Sequence, residues 1–146
     1  MSHKEDFANL RKLLHEEEID KFEKTLVETS KDKTPETVEA LIRFLKDDDD
    51  YLDEMYQILH VAEGFPREVY LTGFLRAFDE QMADHYWLGV LLLRVMNDPI
   101  YFSRLCEIAK SVNEDVRGNL MKVTRSTSEE RAEFSERAQT LLAVLT

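Results

Sequence analysis

The amino-acid sequence predicts an all-α fold, with about eight helices stacked as antiparallel hairpins in a short solenoid-like (HEAT-like) bundle. Three observations carry that prediction. Apolar residues recur at three- and four-residue spacing along the chain, and no period-two alternation lasts long enough for a strand. Four Gly and three Pro among 146 residues are too few for a loop-rich or all-β architecture. Pro35, Pro66 and Pro99 stand 31 and 33 residues apart, each before a helix-like run, which is close to the period of helix-hairpin repeats.

The elements follow in order. Residues 1–32 form N-terminal helices, with Phe7, Leu10, Leu13 and Leu14 as one apolar stripe and Ile19, Phe22, Leu26 and Val27 as the next. Residues 34–126 form three hairpin units opened by the prolines, whose fixed φ suits the first helical position. Thr34 and Asp98 precede two of them and can cap the orphan amides. In the first unit Val38, Leu41, Ile42, Phe44 and Leu45 face one way, and Leu52, Met55, Tyr56 and Leu59 continue the stripe after the turn. The second unit pairs Arg67–Phe78 with Asp84–Met96, and the third pairs Ile100–Val112 with Glu114–Thr124. Residues 127–146 form a last helix that Thr127 or Ser128 can cap. All of this is one domain, as its length suggests.

The run Tyr86–Met96 has nine apolar residues of 11, so it is expected at the centre of the stack, with Gly89 allowing close approach of a neighbour. At 11 residues it is too short for a bilayer span of about 20. A buried Arg94 would then need a partner, and Glu63 is the candidate. The pair reads as an inter-helix clamp.

Chemistry is mostly excluded. A single Cys106 rules out an internal disulfide and a multi-cysteine zinc site, and its place on an apolar helix reads as core. The acid-rich stretch Asp47–Glu54 lacks the central Gly of a calcium loop. No Glu-x-x-His occurs, and His15-Glu16 is followed at the position of a second zinc-binding histidine by Ile19. Asp84-His85 is an acid–base pair on paper, but an Asp cap with an exposed neighbour explains it as well. No nucleophile elbow or phosphate-cradling loop is present. The expectation is a binding protein without catalytic residues, metal or cofactor. Met1–Asp6 lacks a signal pattern, so a cytoplasmic protein that meets no membrane is expected.

Charge supplies the positive signal. The net charge is −11, with 30 acids against 19 Lys and Arg, which disfavours direct contact with nucleic acid. Residues 1–64 hold 18 acids against nine Lys and Arg, and residues 65–146 hold 12 against ten. Two clusters dominate the excess: Glu16, Glu17, Glu18, Asp20 and Glu23, and the run Asp47, Asp48, Asp49 and Asp50 with Asp53 and Glu54. Acids at a helix start oppose the dipole favourably, but four consecutive aspartates exceed a capping need. A solvated loop is one reading. A docking face for a cationic protein is the other, with Tyr51 and Tyr56 as anchors.

Certain residues also carry a resemblance. Ile58-Leu59-His60-Val61-Ala62-Glu63, then Tyr70 to Phe78, Trp87, Leu93-Arg94-Val95-Met96-Asn97 and Pro99 resemble the immunity proteins of bacterial polymorphic-toxin systems, in particular immunity protein family 30. The resemblance spans Tyr51 to Leu105 and leaves the aspartate run and N-terminal helices outside it. It implies an all-helical cytoplasmic protein that binds a cognate toxin C-terminal domain, most readily within contact-dependent growth inhibition. Glu63, Trp87 and Arg94 match its pattern and read as fold-keeping. The combined expectation is neutralisation of a basic, nuclease-type toxin domain through Asp47–Asp50, Tyr51, Asp53, Glu54, Tyr56, Glu16, Glu17, Asp20 and Glu23. A helical-repeat adaptor without inhibitory role is the alternative, and the oligomeric state stays open.

Overall fold

The computed structural model describes residues 3–45, 49–79 and 86–146, with the side chains of residues 3–6 and 49 excepted. Among the described residues there are nine α-helices and no strand: α1 (His3–His15), α2 (Ile19–Thr29), α3 (Pro35–Phe44), α4 (Leu52–Glu63), α5 (Arg67–Arg76), α6 (Tyr86–Met96), α7 (Pro99–Ala109), α8 (Glu114–Glu130) and α9 (Ser135–Leu145). The expected class is all-α, and the structure has it. The chain divides into two compact units, Met1–Gly73 and Phe74–Thr146, and the boundary falls inside α5.

In the first unit, α1 packs on α2 and α3, and α3 packs on α4. Phe44, the last residue of α3, is the point where these helices meet. Phe7 and Phe22 lie with ring centroids 6.2 and 6.3 Å from its ring. The Arg11 guanidinium sits over that ring, 3.7 Å from its centroid, and donates to the Phe44 carbonyl. A cation there also meets the negative end of α3. In the same unit Leu10, Leu14, Leu26, Leu41, Ile42, Met55 and Leu59 are buried. Gly73 brings α5 against α3, because a Cβ on it would lie 2.5 Å from the Pro35 carbonyl oxygen and 2.6 Å from Val38 Cβ.

In the second unit, α6 packs on α7 and α8, and α9 packs on α7 and α8. Helices thus meet their next and next-but-one neighbours, as stacked hairpins do. Within this unit α6 packs equally on α7 and α8, and α8 packs most extensively on α9. Trp87, Leu88, Leu91, Leu92, Val95 and Met96 of α6 are buried.

Several element limits match their sequence cause. The Thr34 hydroxyl accepts from Thr37 N–H at the start of α3, and Asp98 Oδ1 accepts from Ile100 and Tyr101 N–H at 3.0 and 3.2 Å at the start of α7. Pro66 lies just before α5 and its carbonyl takes the Tyr70 N–H. Other expectations need correction. Thr127 is not a cap: α8 runs through it, capped by Asn113 at its start, and buries it. The break comes at Arg131, and a 3-10 turn at Ala132–Phe134 leads into α9. There Arg131 Nε donates to Glu133 at 2.7 Å, and this hydrogen bond holds the Glu133 carboxyl below its ordinary range. Gly89 is not a close approach, since its Cβ would meet Thr127 Oγ1 at an ordinary 3.9 Å. The Asp84-His85 pair lies outside the described residues.

Candidate protein-binding surface

The chain reverses between α1 and α2 in a Schellman-type turn. Glu18 N–H returns to the Leu13 carbonyl at 3.0 Å and Glu17 N–H to the Leu14 carbonyl at 3.1 Å. The residue that must be left-handed in such a turn is Glu17, at φ 58°, where glycine is the usual occupant. Glu16, Glu17, Asp20 and Glu23 are exposed here, and Glu18 is half-buried beside Lys21 at 3.2 Å. Glu17 to Lys21 line an open depression of about 360 Å³.

The second cluster opens α4. A 3-10 turn at Asp49–Tyr51 precedes that helix, and Tyr51 takes the cap position without a side-chain capping bond. Asp53 and Glu54 lie in the first turn, where the helix dipole favours them. Asp50 and Asp53 are exposed, and Glu54 and Tyr51 half-buried. Asp47 and Asp48 lie outside the described residues, as does the side chain of Asp49.

Two contacts join the clusters. The His15 ring, at the end of α1, meets the Tyr51 ring edge-on with centroids 5.8 Å apart. Gln57 Nε2 of α4 donates to Glu23 Oε1 of α2 at 3.3 Å. Segments more than 30 residues apart in sequence are thereby neighbours at these two contacts. The charge divides along the same line: residues 1–73 carry 19 acids against ten Lys and Arg, and residues 74–146 carry 11 against nine.

Tyr56 is exposed on the outer side of α4, with the His60 ring 6.4 Å away. Leu52 is exposed as well, so the buried face of α4 is Met55, Ile58, Leu59 and Ala62 rather than the expected stripe through Leu52 and Tyr56. Leu52, Val27, His15 and Gln57 belong to this surface and escaped the sequence reading. Val27 follows the buried Leu26 by one residue, a turn of about 100° that carries it off the Phe22–Leu26 stripe.

The residues expected to keep the fold separate. Trp87 is buried, its ring edge-on to Tyr86. Arg94 is exposed, so the burial expected of it is corrected: α6 keeps Tyr86 and Arg94 open to solvent. Glu63 is half-buried, with its Oε1 3.7 Å from His60 Nδ1. Cys106 is half-buried, and burial first, then Glu107, pushes its thiol pKa up. Among the described residues no group of three His, Cys, Asp or Glu could hold a metal ion, and no helix is long and apolar enough to cross a membrane.

A family model described as Immunity protein 30 matches residues 9–105. The match begins in α1 and therefore includes α2 and the aspartate run, which the residue-level resemblance had left outside. No curated protein and no solved structure matches the chain.

Proposed function

We propose a function from one premise: the chain belongs to the immunity protein 30 family, whose model covers well over half of it. An immunity protein neutralises a toxin, and that is the general role of this chain. In our reading the target is a cognate toxin C-terminal domain with a basic, nuclease-type surface, bound in the cytoplasm of a cell using contact-dependent growth inhibition. The chain acts by occupying that surface and transforms nothing.

The observation that supports this reading is the pair of contacts, His15–Tyr51 and Glu23–Gln57, that link the segments carrying the two acidic clusters. A concentrated field of this sign steers a cationic partner and raises its association rate. Nuclease surfaces are cationic because they bind phosphates, so carboxylates presented in an array can take the phosphates' place. We assign the contacts to Asp47–Asp50, Tyr51, Asp53, Glu54, Tyr56, Glu16, Glu17, Asp20 and Glu23.

Co-expression with the toxin domain encoded beside this gene tests the role. Restored growth is expected, and continued killing despite soluble immunity protein would favour an adaptor instead. The surface has its own test in the combined variant E17K, E23K, D50K, D53K and E54K. Association at low ionic strength is expected to slow at least tenfold with the helical circular dichroism unchanged; unaltered kinetics would remove the surface assignment.

A further inference from the structure

Large exposed apolar side chains in the first unit gather on the helices that carry the carboxylates. Val27 of α2 is 60 % exposed, and Leu52 and Tyr56 of α4 are 43 % and 38 % exposed. The same helices bury Phe22, Leu26, Met55, Ile58 and Leu59 almost completely, so their inner faces are fully used. Leu52 and Tyr56 are one turn apart and share a face, which His60 extends by another turn. The Glu23–Gln57 hydrogen bond joins α2 to α4, and the His15–Tyr51 contact joins the end of α1 to the turn that opens α4. Val27 lies one helical turn beyond Glu23, on the side of α2 that carries this bond.

We propose that the outer faces of α2 and α4 form a seat for one cationic amphipathic helix of the toxin domain. Val27, Leu52 and Tyr56 take its apolar stripe, and Glu23, Asp50, Asp53 and Glu54 take the Lys or Arg residues flanking it. Charge complementarity selects this occupant. A purely apolar segment would strip water from the carboxylates without pairing them, which is costly. An acidic segment would be repelled by the same groups. A helix with a basic border satisfies both the apolar and the charged parts of the surface.

Dimensions set its role in the complex. Helices of 11 and 12 residues are roughly 16–18 Å long and about 10 Å wide, so their two outer faces sum to ~350 Å². A stable interface needs about 800 Å² on each partner, so the seat is the centre of a larger contact. The carboxylates of the α1–α2 turn, Glu16 to Asp20, then form its rim. Central apolar contacts govern dissociation, and rim charges govern association.

This proposal rests on the toxin-neutralising reading, and its experiment separates the two. Binding of the full chain to the toxin C-terminal domain encoded beside its gene is measured in real time at 0.05 M and 0.5 M NaCl. The triple variant V27A, L52A and Y56A is expected to dissociate at least tenfold faster at both salt concentrations, with its association rate within threefold of wild type. An unchanged dissociation rate overturns the seat while leaving the acidic surface in place. Absence of wild-type binding overturns the toxin-neutralising reading itself. Hydrogen exchange on the unsubstituted complex gives an independent reading. Protection of the exposed-side amides of α2 and α4 is expected, and protection confined to the second unit would overturn the seat.

Discussion

Glu17 occupies a position where glycine would cost nothing, at φ 58°. A left-handed backbone costs a non-glycine residue roughly 1–2 kcal/mol, part of which glycine gives back as chain entropy. Glu17→Gly is therefore expected to stabilise the fold by about 1 kcal/mol in urea titration. The same change removes one of the proposed contact carboxylates, so toxin association is expected to slow as the fold gains stability. Two other glycines make opposite predictions. Gly73→Ala places a methyl against the Pro35 carbonyl and Val38, and is expected to cost ~1–3 kcal/mol by the shift in urea midpoint. Gly89→Ala finds ordinary contact distance in mid-helix, and is expected to be neutral or to stabilise by up to about 1 kcal/mol. Arg94→Met, on an exposed position, is expected to change stability by less than about 1 kcal/mol. Cys106 is expected to be a slower nucleophile than a free cysteine, because half-burial pushes its thiol pKa up and lowers its thiolate fraction. Its alkylation by iodoacetamide at pH 8 is expected to lag a free cysteine severalfold and to accelerate only at higher pH.

Helix starts were the most legible elements, since a short side chain before a proline has one dominant use. Asp98 fulfils it by accepting hydrogen bonds from two backbone amides, and Asp98→Ala is expected to cost about 1 kcal/mol in thermal or urea unfolding. Helix ends were less legible. Thr127 looks like a cap, but its side chain is accommodated inside α8, where burial outweighs the weak preference of threonine for helix ends. Arg94 misled for a related reason. Nine apolar residues in 11 suggest a helix covered on every side, but α6 keeps Tyr86 and Arg94 exposed. Both acidic clusters were readable, because charge is visible residue by residue. Their adjacency was not, because it depends on how α1, α2 and α4 pack. Nor was the role of Arg11, whose place over the Phe44 ring has no local signature.

At the scale of the molecule, nearly all the excess charge belongs to one of two compact units. Lengthening the screening distance from about 8 Å at 0.15 M salt to about 30 Å at 0.01 M would let the whole acidic field act on an approaching partner. Association should therefore steepen strongly as salt falls, while the dissociation rate changes little. We also propose that the two units melt together as one domain. The continuity of α5 across Gly73 and Phe74, and the family match running across the same boundary, support this. Scanning calorimetry is expected to give one peak whose calorimetric and van't Hoff enthalpies agree; two peaks would separate the units.

Trp87, the one tryptophan in the sequence, is sealed within α6 of the second unit. The chain therefore carries a built-in optical probe on the unit that does not bear the acidic clusters. Its emission is expected to be blue-shifted and poorly quenched by iodide in the native protein. Trp87 is not one of the proposed contact residues, so a change in its emission on complex formation would report an effect beyond those residues, read without introducing a label or a substitution.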